Sequence, residues 1–141
     1  METNQPLTSY TDRKNNKRIL LVDDEPDIVY WLKQVLEDNG FVVDSYTNPT
    51  LALSNFKPGL YDLLLLDIKM PEMDGFDLYE EMRKIDGNIK ACFLTATQYF
   101  HEEYRRSLNV YPVLQKEKCF IQKPCENKKL IHMINETLYY P

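Results

Sequence analysis

Short apolar runs alternate along this chain with stretches whose apolar residues recur every three or four positions. Ile19-Leu20-Leu21-Val22 is continuous and stops at Asp23-Asp24-Glu25, the pattern of a strand buried on both faces. After Pro26, which suits a first helical turn, Ile28, Trp31, Leu32, Val35 and Leu36 keep helical spacing until Asn39-Gly40 closes the segment. The alternation then repeats. Phe41-Val42-Val43 reads as a strand, Pro49 to Phe56 as a short helix, and Leu63 to Leu66 as the most apolar strand, ended by Asp67. Phe76, Tyr79 and Met82 form a helical stripe, Cys92-Phe93-Leu94 a strand ending at Thr95, and Tyr99 to Leu108 a further helix. Phe120-Ile121-Gln122 is a weaker strand before Lys123-Pro124, and Leu130, Ile131, Ile134 and Leu138 make a last helical face. Five strand-helix units of this kind predict an α/β fold: a doubly wound parallel sheet of five strands, with helices on both faces and right-handed crossovers.

The first 17 residues are polar and without period, so the pattern predicts a flexible tail over 1–17 and one folded domain over 18–141. No apolar stretch has the form of a signal peptide or the length of a membrane span; the expected address is cytoplasmic. With 17 Lys+Arg against 22 Asp+Glu, the net charge of −5 supplies no overall attraction for phosphate backbones, and direct nucleic-acid binding is not expected. The three cysteines, Cys92, Cys119 and Cys125, contain no CxxC pair and read as buried or incidental thiols; the lesser alternative is that Cys119 and Cys125 face each other across a short strand in a redox role.

The polar residues that end the strands carry the chemistry. Asp23 and Asp24 follow the first strand, Asp67 the third, Thr95 the fourth and Lys123 the fifth, and in such sheets ligands bind beyond the carboxyl ends of the strands. Asp24 alone would read as a helix cap; Asp67, followed by the loop Ile68 to Gly75, and Lys123 do not fit that reading. Carboxylates so close raise one another's pKa unless a cation lies among them. A hard divalent ion such as Mg2+ takes oxygen ligands and leaves room for a phosphoryl group. Lys123 adds positive charge and Thr95 a hydroxyl donor, so the set suits phosphoryl transfer, where positioning and charge neutralisation dominate.

Four segments, Leu21-Val22-Asp23-Asp24-Glu25, Leu66-Asp67-Ile68-Lys69-Met70-Pro71-Glu72-Met73-Asp74-Gly75, Leu94-Thr95-Ala96 and Gln122-Lys123-Pro124, together resemble the receiver domains of two-component response regulators. The resemblance implies a flavodoxin-like sheet of order 2-1-3-4-5 and a phosphorylation-controlled signalling module, a stand-alone receiver that is not an enzyme in the ordinary sense although it assists its own phosphotransfer and dephosphorylation. It implies that Asp67 accepts a phosphoryl group from the phosphohistidine of a sensor histidine kinase or phosphotransfer protein. Asp24 and Asp67 would ligate Mg2+ directly, Asp23 mainly through water, and the backbone carbonyl of Lys69 would add a further oxygen; Lys123 and Thr95 would meet the phosphoryl group, and Thr95 and Phe120 would form the switch. The implied partners include an unidentified downstream protein or a second copy of the chain, met through the face formed by the 99–108 helix, the fifth strand and the last helix.

The alternative from another class is a Mg2+-dependent phosphohydrolase with an aspartyl nucleophile, but such enzymes want an acid two residues after the nucleophile, and Lys69 stands there. The chain between Thr95 and Lys123 is longer than the family pattern, with Asn109 to Lys118 in place of the usual small turn; this is a different partner surface or a tolerated surface insertion. His101 and His132 read as packing or solvent-facing residues, and Arg105-Arg106 and Lys128-Lys129 as solvated helix faces. Tyr139-Tyr140 either covers the core or contacts a partner.

Overall fold

A computed structural model of the chain describes residues 16–96 and 119–139. Among these residues the elements are, in order, β1 (Arg18–Val22), α1 (Pro26–Asp38), β2 (Val42–Tyr46), α2 (Pro49–Ser54), β3 (Leu63–Asp67), α3 (Gly75–Ile85), β4 (Lys90–Ala96), β5 (Phe120–Lys123) and α4 (Asn127–Tyr139). The strands form one sheet of order β2-β1-β3-β4-β5, and every neighbouring pair is parallel. The sheet is the expected one.

Successive side chains of a strand point to opposite faces, and here the two faces feed two separate cores. Ile19, Leu21, Leu63, Leu65, Cys92, Leu94 and Ile121 pack under α1 and α4. Leu20, Val22, Leu64, Leu66, Ala91 and Phe93 pack under α2 and α3. β1 and β3 therefore have no polar face, and each of the four leucines of β3 has no exposed surface, a burial worth about 2 kcal/mol per side chain. α1 opens on Pro26 at its first turn, with Asp27 beside the partial positive charge of that helix end. It closes at Gly40, whose φ of 90° suits glycine. α4 is tied back to the sheet where Lys90 Nζ donates to the Leu138 carbonyl at 3.0 Å.

Several boundaries differ from the sequence reading, each for a physical reason. β2 starts at Val42 and runs on to Tyr46, because the Asp44 carboxylate is held by the Tyr61 hydroxyl at 2.7 Å and by Arg18 Nη1 at 3.1 Å. Phe41 precedes the strand as a buried plug. α2 stops at Ser54, where Asn55 takes the cap. In α1 the buried positions include Val29, whereas Trp31 stays 38% exposed on the rim of an apolar cavity of about 220 Å3 that it lines with Ile28, Pro124 and Cys125.

The cysteines depart most from expectation. Cys92 and Cys119 form a disulfide across β4 and the residue that opens onto β5, with Cα atoms 4.6 Å apart, and Cys125 is the free thiol. Cys92 and Cys119 are buried, as read, but they are bonded partners and not free thiols, and it is Cys92, not Cys125, that faces Cys119. Cys119 is fully occupied by a partner that the register of parallel strands brings directly opposite, since Phe93 N donates to the Cys119 carbonyl at 2.9 Å. The helix expected over 99–108, with His101 and Arg105-Arg106, lies outside the described residues, as do the 109–118 insertion, Tyr140 and most of the 1–17 tail. His132, Lys128 and Lys129 are exposed on α4, and Lys17 lies over the Tyr139 ring at 5.8 Å.

Candidate functional site

The parallel register sets the polar strand ends side by side. Asp23 directly follows β1, Asp67 ends β3, and Asp67 pairs with Leu94, so Thr95 lies one step further toward the same edge. Asp23, Asp67 and Thr95 are the three buried polar residues of the described chain. Asp23, Asp24 and Asp67 offer carboxylate oxygens that all lie within 4.8 Å of one another.

Lys123 reaches over this group from the end of β5. Its Nζ is 3.2 Å from Asp23 Oδ2 and 3.3 Å from Asp67 Oδ1, with Glu25 Oε1 at 3.4 Å. Glu25 was legible only as part of the acidic run after the first strand; its contact with Lys123 was missed, because no motif marks it. Asp23 is fixed further by the Glu25 amide, which donates to Oδ1 at 3.0 Å. Thr95 Oγ1 donates to the Ala96 carbonyl at 3.2 Å. The peptide bond between Lys123 and Pro124 is cis.

Burial without enough counter-charge governs the titration of these groups. Desolvation, then the neighbouring Asp23 charge, pushes the Asp67 carboxyl up to about 7 against the pull of Lys123. Asp23 is also raised, by desolvation above all. Burial pulls Lys123 down, but the Asp67 and Asp23 carboxylates outweigh it and leave the ammonium more basic than usual. One lysine therefore does not balance this carboxylate set, and its all-oxygen donors within a few ångströms fit a hard divalent cation.

The loop after Asp67 is shaped by backbone contacts. Gly75 N donates to the Ile68 carbonyl at 2.8 Å, and a Cβ on Gly75 would overlap the Asp67 carbonyl oxygen, so no other residue allows this close approach. Sequence reading saw Gly75 as loop punctuation and missed this steric role, which only the folded loop reveals. Asp74 caps α3 by accepting from Asp77 N at 2.8 Å. Glu72 has a φ of 72°, the left-handed region that costs a residue with a Cβ. Lys69 lies in this loop with its side chain exposed.

Phe120 opens β5 half-buried. Its ring stacks on Phe93 at 5.5 Å and meets the edge of Phe76 at 6.5 Å. It belongs to the aromatic group under α3, on the sheet face opposite the disulfide.

The family model for the response regulator receiver domain matches residues 19–135. This chain belongs to that family. The receiver is 33% identical over 122 residues to the chemotaxis protein CheY of Bacillus subtilis, covering 86% of this chain and 97% of CheY. Among solved structures it is similar to the receiver domain of HemR from Leptospira biflexa, at 29% identity and a TM-score of 0.75, covering 89% of this chain and 96% of that one. It is also similar to TrrA from Thermotoga maritima, solved in complex with Mg2+-BeF, at 34% identity and a TM-score of 0.71, covering 86% of this chain and 99% of TrrA. The receiver is thus a phosphorylation-controlled signalling module of two-component systems. Family membership and Lys69, where a second acid would be needed, both stand against the phosphohydrolase reading. No helix among the described residues is long and apolar enough to cross a membrane.

Proposed function

We propose that Asp67 is the phosphoacceptor, and that its partner in the transfer is the phosphohistidine of a sensor kinase or phosphotransfer protein in the cytoplasm. The observation that carries this reading is the placement of one buried carboxylate against Lys123, with two further carboxylates in reach and Thr95 at the end of the next strand. In the transfer, an Asp67 carboxylate oxygen attacks phosphorus, the P–N bond to the histidine breaks, and the imidazole leaves with the bonding pair. Lys123 holds the phosphoryl oxygens and offsets their charge. Thr95 gives up its bond to the Ala96 carbonyl and donates to a phosphoryl oxygen instead.

Asp23, Asp24 and Asp67, with the Lys69 carbonyl, would hold Mg2+, whose charge offsets that of the carboxylates and phosphoryl oxygens. A metal centre of this kind is what the mutual burial of the aspartates asks for. Loss of the Thr95 contact with Ala96 opens space along β4, and Phe120, packed on Phe93, is the side chain placed to fill it. The readout reaches a downstream protein or a second copy of the chain through the face of β5 and α4. The same site assists hydrolysis of its own phosphoaspartate.

The test is incubation with acetyl phosphate and Mg2+ followed by mass mapping. One phosphoryl group is expected, on Asp67 alone, and Asp67→Asn should abolish it. Label persisting in that variant, or mapping to Asp74, would show that another carboxylate is the nucleophile.

A further inference from the structure

The disulfide lies outside the phosphoacceptor chemistry, yet it joins the two strands that carry the switch residues. Cys92 stands three residues before Thr95 on β4, and Cys119 directly precedes Phe120. Their Cα separation of 4.6 Å is within the range that a disulfide bridges without backbone movement. The bond sits at the start of β5, a four-residue edge strand that also delivers Lys123. Among the described residues the strand is paired on one side, by β4, and a bond at its start adds a fixed point to that short ladder.

The surroundings suit the dithiol as well as the disulfide. Cys92 Sγ lies 3.4 Å from Thr137 Oγ1, and Cys119 Sγ 3.9 Å from the Met133 carbonyl, so each S–H would have an acceptor on α4 when the bond is open. Both states leave the buried sulfurs satisfied.

We infer that Cys92 and Cys119 are a reversible oxidation site, closed by a hydroperoxide and reopened by a dithiol, whose closure fastens the start of β5 to β4. A thiolate attacks the O–O bond of hydrogen peroxide, giving a sulfenic acid and hydroxide. The second thiol then displaces hydroxide from that sulfur, so two thiols and one peroxide yield one disulfide and two waters. Reopening is two exchange steps that leave the dithiol as its own cyclic disulfide. Access comes through local opening of β5, because Cys92 is fully buried and Cys119 is 7% exposed. The bond and its hold on β5 do not depend on the proposed phosphoacceptor; its effect on signalling does, through Lys123 and Phe120.

The full chain carrying Cys125→Ser, which removes the competing free thiol, is treated with dithiothreitol or with hydrogen peroxide, then alkylated with iodoacetamide after unfolding. The peroxide form should take no label and be lighter than the reduced, unlabelled chain by two hydrogens. Its Ile121 and Gln122 amides should exchange about tenfold more slowly than in the dithiol form. In the same two samples Mg2+ with beryllofluoride, a phosphoryl mimic, should bind the oxidised form about threefold or more tightly, as expected when Lys123 is held in place. Cys119→Ser should lose every difference between the two treatments. Labelling of both cysteines after peroxide, or equal exchange at Ile121 and Gln122, would overturn the inference; equal beryllofluoride affinity would overturn its link to the switch. Beryllofluoride binding to neither form would overturn the phosphoacceptor reading, while slowed exchange in those samples would still support the oxidation site.

Discussion

β3 and β5 both end in a charged residue of the site, but they hold it in different ways. β3 is paired on both edges, by β1 and β4, and its five residues are buried. Among the described residues β5 is paired on one edge, by β4; it has four residues, of which only Ile121 is buried. Asp67 is thus held by a buried central strand and Lys123 by a short strand at the end of the sheet order. A nucleophile gains from being fixed, because misplacement by an ångström is costly in transfer. In the proposed transfer the lysine exchanges carboxylate partners for phosphoryl oxygens, and the strand beneath it carries Phe120, the side chain proposed to move. Burial makes Asp67 hard to ionise, whereas three of the four β5 residues keep some exposure.

The contrast is sharpened most strongly by removing the charge that β5 delivers. Lys123→Gln should slow phosphorylation of Asp67 by acetyl phosphate about 100-fold, the usual loss for one donor aimed at developing charge, while the variant remains folded by circular dichroism. A loss of only a few-fold would mean that β5 is a passive edge and that the carboxylate set alone directs the transfer.

Next in size is the aromatic anchor of β5. Phe120→Ala removes a half-buried ring from Phe93 and Phe76, and should cost about 2 kcal/mol in urea unfolding, below the full-burial range for such truncations. Phosphorylation of Asp67 should stay within a few-fold of the parent, but beryllofluoride should no longer shift amide resonances along β5 and α4. Persisting shifts there would show that the signal does not pass through Phe120.

The same contrast explains what could be read from the residues alone. β1 and β3 were legible because burial on both faces forces continuous apolar runs, and the carboxylates that end them mark the site edge. Lys123 was legible in kind, since Gln122-Lys123-Pro124 after a weak strand matches a motif, but its contact with Glu25 depends on where a short strand finally rests. β2 was truncated in the reading because Asp44 and Ser45 look like loop residues until Arg18 and Tyr61 are seen to meet Asp44. The disulfide was hidden for a related reason. Neighbouring strands can be assigned from topology, but whether Cys92 stands opposite Cys119 depends on a register that a shift of one residue would undo.

The smallest expected effect is a pH dependence that only the rigid side of the site should show. Asp67 titrates near 7 in the fold against 3.8 for an unperturbed carboxyl. Between those values the folded chain keeps a proton that the unfolded chain has released, so stability is greatest below about 4, falls as the pH rises, and levels off above about 7. Each unit is worth about 1.4 kcal/mol, and because Asp23 shares the same desolvation, a difference on the order of 2 kcal/mol is expected for Asp67 itself. Urea unfolding in a chelator at pH 5 and pH 8 should show the parent losing more stability than Asp67→Asn by that amount. Added Mg2+ should shrink the difference, since a cation lowers the cost of the buried charge. Parallel behaviour of the two chains without metal would mean that β3 yields enough to let solvent reach Asp67, and the contrast between a fixed nucleophile and a movable counter-charge would not hold.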